Sequence, residues 1–166
     1  MKFFFSILLF IFIATKSYAC DINFLKFGSS PLNFPLDTTT KVKKLSNDII
    51  IITAPINIFC NKSELNGTNV DFLFIKNQLV KIRVLRENFQ NNLLLDLVVN
   101  KYGDFKRTLG LEKNNWRGTQ GFETKQEYAA YVSVINNDFR IESIEIVSKN
   151  LSNLMTIYSQ FQDNEK

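Results

Sequence analysis

Histidine is absent from this sequence, which removes the side chain that most often transfers protons near neutral pH. Ser-His-Asp and Cys-His arrangements therefore cannot form, and His-ligated zinc sites are excluded as well. The sequence also lacks the glycine-rich motifs of nucleotide-binding proteins, the Ser-Lys hydrolase motif and the EF-hand loop. Carboxylates, lysine and tyrosine remain as groups that could move a proton.

Four carboxylates in the C-terminal half are candidates for a glycosidase-type acid and base: Glu123, Glu127, Asp138 and Glu142. Glu142 and Glu145 stand at an odd separation on one predicted strand, so we expect them on opposite faces of the sheet. Because charged side chains are mostly exposed, the simpler interpretation is that all of these are surface acids. The sequence leaves enzymatic activity undecided and favours its absence, and we predict no catalytic residue, cofactor or metal site.

Residues 114–127 contain the chemistry most typical of a binding site. Trp116, the only tryptophan, is followed by Arg117 and Phe122, with two glycines between the arginine and the phenylalanine. Aromatic and arginine side chains are common hot spots of recognition, and on a flexible loop they could stack on a sugar or a peptide side chain. The alternative is that Trp116 and Phe122 fill the core while the glycines only turn the chain. We predict a ligand or partner site that includes Trp116, Arg117 and Phe122.

Lys81, Arg83 and Arg86 form a second candidate site on the polar side of a predicted hairpin. Such a basic stripe could bind an anionic ligand or an acidic partner. The alternative is an ordinary solvated sheet face. We include Lys81 and Arg83 in the predicted binding surface.

The N-terminal residues 1–19 have the layout of a secretory signal peptide. Lys2 precedes an apolar run that only Ser6 interrupts, and small residues at Ser17 and Ala19 fit a cleavage site before Cys20. The alternative is an uncleaved membrane anchor, although the apolar run is short for a membrane span. Cleavage would remove two lysines and no acid, so the net charge would fall from +4 to +2. A charge this small predicts neither nucleic acid nor an anionic membrane as a partner.

Cys20 and Cys60 are the only cysteines of the chain. In an exported protein, two cysteines predict one disulfide, and the chain would then be periplasmic or secreted. Two alternatives remain open: a lipid anchor on Cys20, for which Ser17 and Tyr18 are a poor match to the usual signal, and two free thiols.

The hydrophobic pattern predicts an α+β fold in which these residues are carried mainly by strands. Strands and hairpins are expected at residues 49–53, 70–85, 115–118, 128–148 and 154–161. The first hairpin should turn at Asn77-Gln78, and one main helix at residues 89–102 should end before Gly103. We expect a mostly antiparallel sheet built from hairpins, with this helix packed on one face.

The remaining segments are expected to be less regular. Residues 20–48 are predicted to be largely irregular, with a helical turn at Val42 and Leu45, and residues 162–166 to form a polar tail. A single domain would then span residues 20–161.

The sequence therefore favours an exported, non-catalytic protein of the bacterial envelope that binds another protein or a small ligand. One alternative is an enzyme that acts on envelope carbohydrate through carboxylates. Another is a structural component of an envelope assembly, for which an exposed apolar patch or an unpaired edge strand would be typical.

Overall fold

The computed structural model describes residue 20 and residues 24–60, 62–89, 91–105, 116–136 and 139–164. The predicted signal peptide at residues 1–19 and the candidate carboxylate Asp138 lie outside these described residues. No helix within them is long and apolar enough to cross a membrane.

Within the described residues the chain forms one seven-stranded antiparallel sheet with a short helix on each face. The strands are β1 (Lys41–Lys44), β2 (Ile49–Pro55), β3 (Asn69–Ile75), β4 (Gln78–Phe89), β5 (Gly118–Glu123), β6 (Glu127–Asn136) and β7 (Phe139–Ser148). The helices are α1 (Leu93–Tyr102) and α2 (Met155–Asn164). The strand order is β1-β2-β3-β4-β7-β6-β5. The predicted α+β class and antiparallel sheet are confirmed, although two short helices stand where one main helix was expected.

Alternation along the strands divides the sheet into two faces, which we call the α1 face and the α2 face. Every second residue of β7 from Arg140 to Ser148 is buried on the α1 face. Helix α1 buries Leu94, Leu95, Leu97 and Val98 toward this face. Gly103 follows with a φ of +87°, a backbone conformation that suits glycine, and it ends the helix as the sequence predicts.

The α2 face is covered by helix α2, which occupies most of the segment 154–161 where a last strand is predicted. The predicted strand is wrong. Leu154, Ile157, Tyr158 and Phe161 recur at helical spacing, which matches a period of 3.6 and not of 2. They pack against a buried cluster formed by Ile49, Leu73, Ile75 and Val80.

Smaller corrections concern a turn and the two edges of the sheet. The β3–β4 hairpin turns one residue earlier than predicted, because Lys76 and Asn77 both have positive φ and Ile75 pairs with Gln78. Residues 41–44 form β1 where a helical turn was expected. At the opposite edge the strand runs from Gly118 to Glu123, whereas the sequence predicts one at residues 115–118, of which residue 115 lies outside the described residues. Edge strands are largely exposed, so they carry little of the apolar alternation that identifies a strand.

The predicted disulfide between Cys20 and Cys60 is present. It joins the start of the described chain to the segment that follows β2. Nearby, an aromatic cluster of Phe24, Phe34, Phe59 and Phe72 packs in mostly edge-on or tilted pairs on the α1 face. A Cys20 sulfur bonded to Cys60 is not available for a lipid thioether.

Candidate functional site

A buried polar network lies between the sheet and α1, centred on the carboxylate of Glu142. Its Oε1 accepts a hydrogen bond from the Tyr131 hydroxyl at 2.8 Å. Its Oε2 lies 3.4 Å from Nη1 of Arg86 and 3.5 Å from the backbone nitrogen of Leu94, in the first turn of α1. Glu142 and Arg86 are only 1% and 2% exposed, so this is a fully desolvated ion pair at a helix N-terminus.

Strand register explains why these residues meet. Arg86 on β4 pairs with Glu142 on β7, and Glu142 pairs with Ser133 on β6, so the three form one row across the middle of the sheet. Arg140 lies two residues before Glu142 on the same face. The central strands therefore place two guanidinium groups and one carboxylate under the helix.

The network also holds the chain where it enters β5. The carbonyl oxygen of Trp116 accepts hydrogen bonds from Ser133 Oγ at 3.2 Å, Arg140 Nη1 at 3.2 Å and Asn92 Nδ2 at 3.5 Å. The indole itself is buried and stacks on Tyr131 with ring centroids 5.3 Å apart. Trp116 is thus anchored by both its backbone and its ring.

Burial shifts the protonation equilibria of this network. It raises the pKa of Glu142, while the hydrogen bonds from Tyr131 and Leu94 and the charges of Arg86 and Arg140 act in the opposite direction. Burial also raises the pKa of Tyr131 and lowers the pKa of Arg86. Because α1 separates Glu142 from solvent, the role of this network is structural. It fixes α1 and β5 on the sheet.

An open cleft of about 550 Å³ lies at one end of the sheet. Its size is in the range of small-molecule sites. Three segments line it: the N-terminal segment, the β5–β6 turn and the chain that follows β7. The lining residues are Leu25, Lys26, Phe27, Gly28, Gln126, Glu127, Ser148, Asn150 and Leu151.

Backbone hydrogen bonds hold the walls of the cleft in place. The Gly28 nitrogen donates to the Leu79 carbonyl, and the Leu79 nitrogen donates to the Ser29 carbonyl, each at 2.9 Å. On the other side, the Lys149 nitrogen donates to the Gln126 carbonyl at 2.9 Å. Gly28 has a φ of +85° and faces Leu151, so a side chain at this position would be strained. The cleft is therefore preformed.

Glu127 is the candidate carboxylate that lines the cleft. It is 8% exposed, and its Oε1 lies 2.8 Å from both the Tyr102 hydroxyl and Lys101 Nζ. By contrast, Glu123 is exposed and forms an ion pair with Lys149, and Glu142 is enclosed beneath α1. The structure does not bring these carboxylates together in one site.

The three residues of the predicted Trp116 site differ in how deeply they are buried. Trp116 is in the core, in edge-on contact with Phe105. Phe122 is half-buried and stacks on Tyr102 with ring centroids 5.1 Å apart. Arg117 is exposed at the edge of the sheet. The two rings therefore contribute to packing, and of the three residues only Arg117 is exposed.

Lys81 and Arg83 lie together on the α2 face, where both form ion pairs with Glu145. Glu145 is 2.7 Å from Lys81 Nζ and 3.6 Å from Arg83 Nε. With Asp71, Tyr158 and others they line a small cavity of about 100 Å³ beside α2. Arg86 was expected in the same stripe, and this is wrong, because its odd separation from Arg83 turns it to the buried α1 face.

Sequence reasoning missed Arg86, Tyr131 and Arg140 as partners of Glu142. A signal was present, because Arg140 and Glu142 share the parity of Ile144 and Ile146 on one strand. The expectation that Glu142 and Glu145 lie on opposite faces is confirmed. What strand parity does not provide is the order of the strands, which decides that β4, β7 and β6 are neighbours.

The described residues contain no group of three or more His, Cys, Asp or Glu side chains that could hold a metal ion. Comparison of the chain with protein-family models, curated proteins and solved structures finds no match. Its function has to be argued from the geometry of the chain itself.

Proposed function

We propose that this chain is an exported, non-catalytic binding protein of the bacterial envelope that holds a small ligand, or a short segment of another protein, in the cleft at the end of its sheet. The preformed cleft is the observation that carries this proposal. Its volume of about 550 Å³ suits a small molecule. Walls that are already ordered reduce the entropic cost of binding.

The lining of the cleft indicates the kind of ligand. Lys26, Gln126 and Asn150 offer exposed polar groups at the rim, while Leu25, Phe27 and Leu151 offer half-buried apolar surface. A ligand that combines polar groups with an apolar part fits this lining, as a short peptide or a modified sugar does.

The proposal of export rests on the N-terminal pattern and on the Cys20–Cys60 disulfide. Disulfides persist in oxidising compartments such as the periplasm or the exterior of the cell. Intact mass of the chain recovered from its own envelope tests this part. We expect a mass that begins at Cys20 and gains two alkyl groups only after reduction. A mass that retains residues 1–19, or that carries acyl chains, would contradict it.

Binding can be tested by titrating the isotope-labelled exported chain with a panel of short peptides and mono- and disaccharides. We expect at least one compound to shift the backbone amides of the cleft saturably, with a Kd of about 1 mM or lower. Asn150→Trp should abolish the shifts, because Asn150 lines the cleft and a bulky ring would fill it. The matched variant Asn100→Trp, on the exposed side of α1, should leave them unchanged. Equal binding by both variants would exclude the cleft.

A second candidate function is hydrolysis of envelope carbohydrate, favoured by the position of Glu127 in the cleft beside Lys101 and Tyr102. It predicts that the chain cleaves isolated cell-wall glycan and that Glu127→Gln abolishes the cleavage. No cleavage by the unaltered chain would leave the non-catalytic proposal as the better one, whereas full cleavage by the Glu127→Gln variant would show that Glu127 is not the catalytic group.

A further inference from the structure

The two edges of the sheet differ in how they are protected against pairing with another strand. Strand β1 carries Lys41, Lys43 and Lys44, all exposed, and rows of lysine are a common defence of edge strands. Strand β5 has no lysine and no proline, and its single charged residue is Glu123 at its end. No described strand pairs with the outer side of β5. Among the described residues, the β1 edge is therefore protected by lysines, and the β5 edge carries neither such protection nor a further strand.

Two opposite charges mark the ends of this open edge. Arg117, directly before β5, is exposed, and its side chain makes no hydrogen bond or ion pair among the described residues. Glu123, at the other end, stays 64% exposed although it contacts Lys149 Nζ at 2.5 Å. The two lie six positions apart, an even separation that places side chains of an extended strand on the same face.

We propose that β5 is a self-association surface, on which β5 of a second copy of this chain adds in antiparallel orientation. The two-fold axis passes between the two Gln120 residues. In this register Arg117 of each copy lies directly opposite Glu123 of the other, so one contact is made twice. A single patch that is complementary to itself is the property that a two-fold dimer requires. The two sheets become one continuous sheet.

The alternation of the strands supports this register over its neighbours. A shift by one residue would place the α1 face of one copy beside the α2 face of the other. A shift by two residues would keep the faces aligned but lose both Arg117–Glu123 contacts. In the proposed register Phe122 lies opposite Gly118, and Thr119 lies opposite Gly121, so each glycine faces a residue that has a side chain.

The test is sedimentation velocity of the exported chain over a range of concentrations at low and high salt. A single-strand interface is small, so we expect a reversible dimer with a Kd of about 1 to 100 μM that weakens as salt rises. A chain that remains monomeric up to about 1 mM would overturn the proposal.

Charge reversal identifies the surface. Arg117→Glu or Glu123→Arg places like charges opposite each other at two symmetric positions, and each should weaken association about tenfold or more. The double variant R117E/E123R exchanges the charges and should restore association to nearly that of the unaltered chain. Restoration by a second reversal cannot result from misfolding. Lys43→Glu, on the β1 edge, is the control for Arg117→Glu, because it makes the same change of charge, and it should have no effect.

A dimer that is insensitive to both single variants, or a double variant that associates no better than the single ones, would place the interface elsewhere. Neither result depends on the cleft, because its lining does not include Arg117 or Glu123.

Discussion

Glu142 shows at the scale of single residues how this protein uses a buried charge. Its two oxygens contact Tyr131, Arg86 and the first turn of α1, so one carboxylate connects β6, β4 and the helix. A buried ion pair adds little net stability over apolar residues, but breaking one side of it is costly because a charge remains unpaired. We infer that the network specifies where α1 and β5 sit on the sheet.

The hydroxyl of Tyr131 should contribute to stability through its hydrogen bond to Glu142. Tyr131→Phe leaves a buried carboxylate oxygen without this donor, and we expect the free energy of unfolding to fall by about 2 kcal/mol. Tyr128→Phe, at an exposed position three residues earlier on β6, should change it by less than about 0.5 kcal/mol. Chemical denaturation of both variants measures the difference. Equal effects would mean that the Tyr131 hydroxyl has no special role.

The raised pKa of Glu142 makes a signed prediction about pH. Above its ordinary pKa of 4.5 the unfolded chain releases the proton that the folded protein still holds. Stability from this group is therefore fully present below pH 4.5 and is lost as the pH rises through the raised pKa. We expect the unaltered chain to lose stability relative to Glu142→Gln as the pH is raised from about 4 to 8. Denaturation of both chains at several pH values measures this. A gain in stability of the unaltered chain relative to Glu142→Gln as the pH rises would contradict the prediction.

At the scale of elements, α2 covers an apolar surface of the sheet that would otherwise be exposed. It covers the buried cluster around Ile49 and Val80, with Tyr158 and Phe161 in contact. Its ten residues are too few for a helix to be stable alone in water, so packing against this cluster must stabilise it.

Phe161→Ala should therefore destabilise the protein by about 2 kcal/mol, less than at a fully buried site because the ring is half-buried. Gln160→Ala, one position earlier on the exposed side of the same helix, should stay within about 0.5 kcal/mol. Thermal or chemical unfolding measures both. An unchanged Phe161→Ala variant would mean that α2 does not depend on this contact.

At the scale of the whole molecule, the disulfide ties the N-terminal segment to the domain and so supports one wall of the cleft. The bond closes a loop between residues 40 apart in sequence. The aromatic cluster near it and the hydrogen bonds of Gly28 and Ser29 to Leu79 continue this attachment along the segment. Loss of the bond should therefore affect both global stability and the cleft.

Replacing both cysteines by serine should lower the free energy of unfolding by about 4 kcal/mol, because the unfolded chain regains the entropy of a long open loop. Urea denaturation of the unaltered chain with and without reductant should show the same loss. The serine variant should not respond to reductant, which controls for other effects of the reagent. An unchanged midpoint for the reduced chain would contradict a stabilising role of the bond.

The local sequence pattern was sufficient to predict much of the structure of this protein. The α+β class, the antiparallel hairpins, the helix that ends at Gly103 and the Cys20–Cys60 pairing could all be predicted, because each depends on residue types at short or fixed spacing. The opposite orientations of Glu142 and Glu145 followed from strand parity alone. The absence of histidine excluded whole classes of active site before any fold was known.

Tertiary structure alone decided the rest, because the remaining features depend on which distant segments become neighbours. The order β4-β7-β6 places Arg86, Glu142 and Ser133 in one row, and no local pattern contains that order. The cleft exists only where three segments, far apart in sequence, converge at one end of the sheet. The burial of Trp116 and the exposure of Arg117, adjacent in sequence, were likewise set by what packs against each of them.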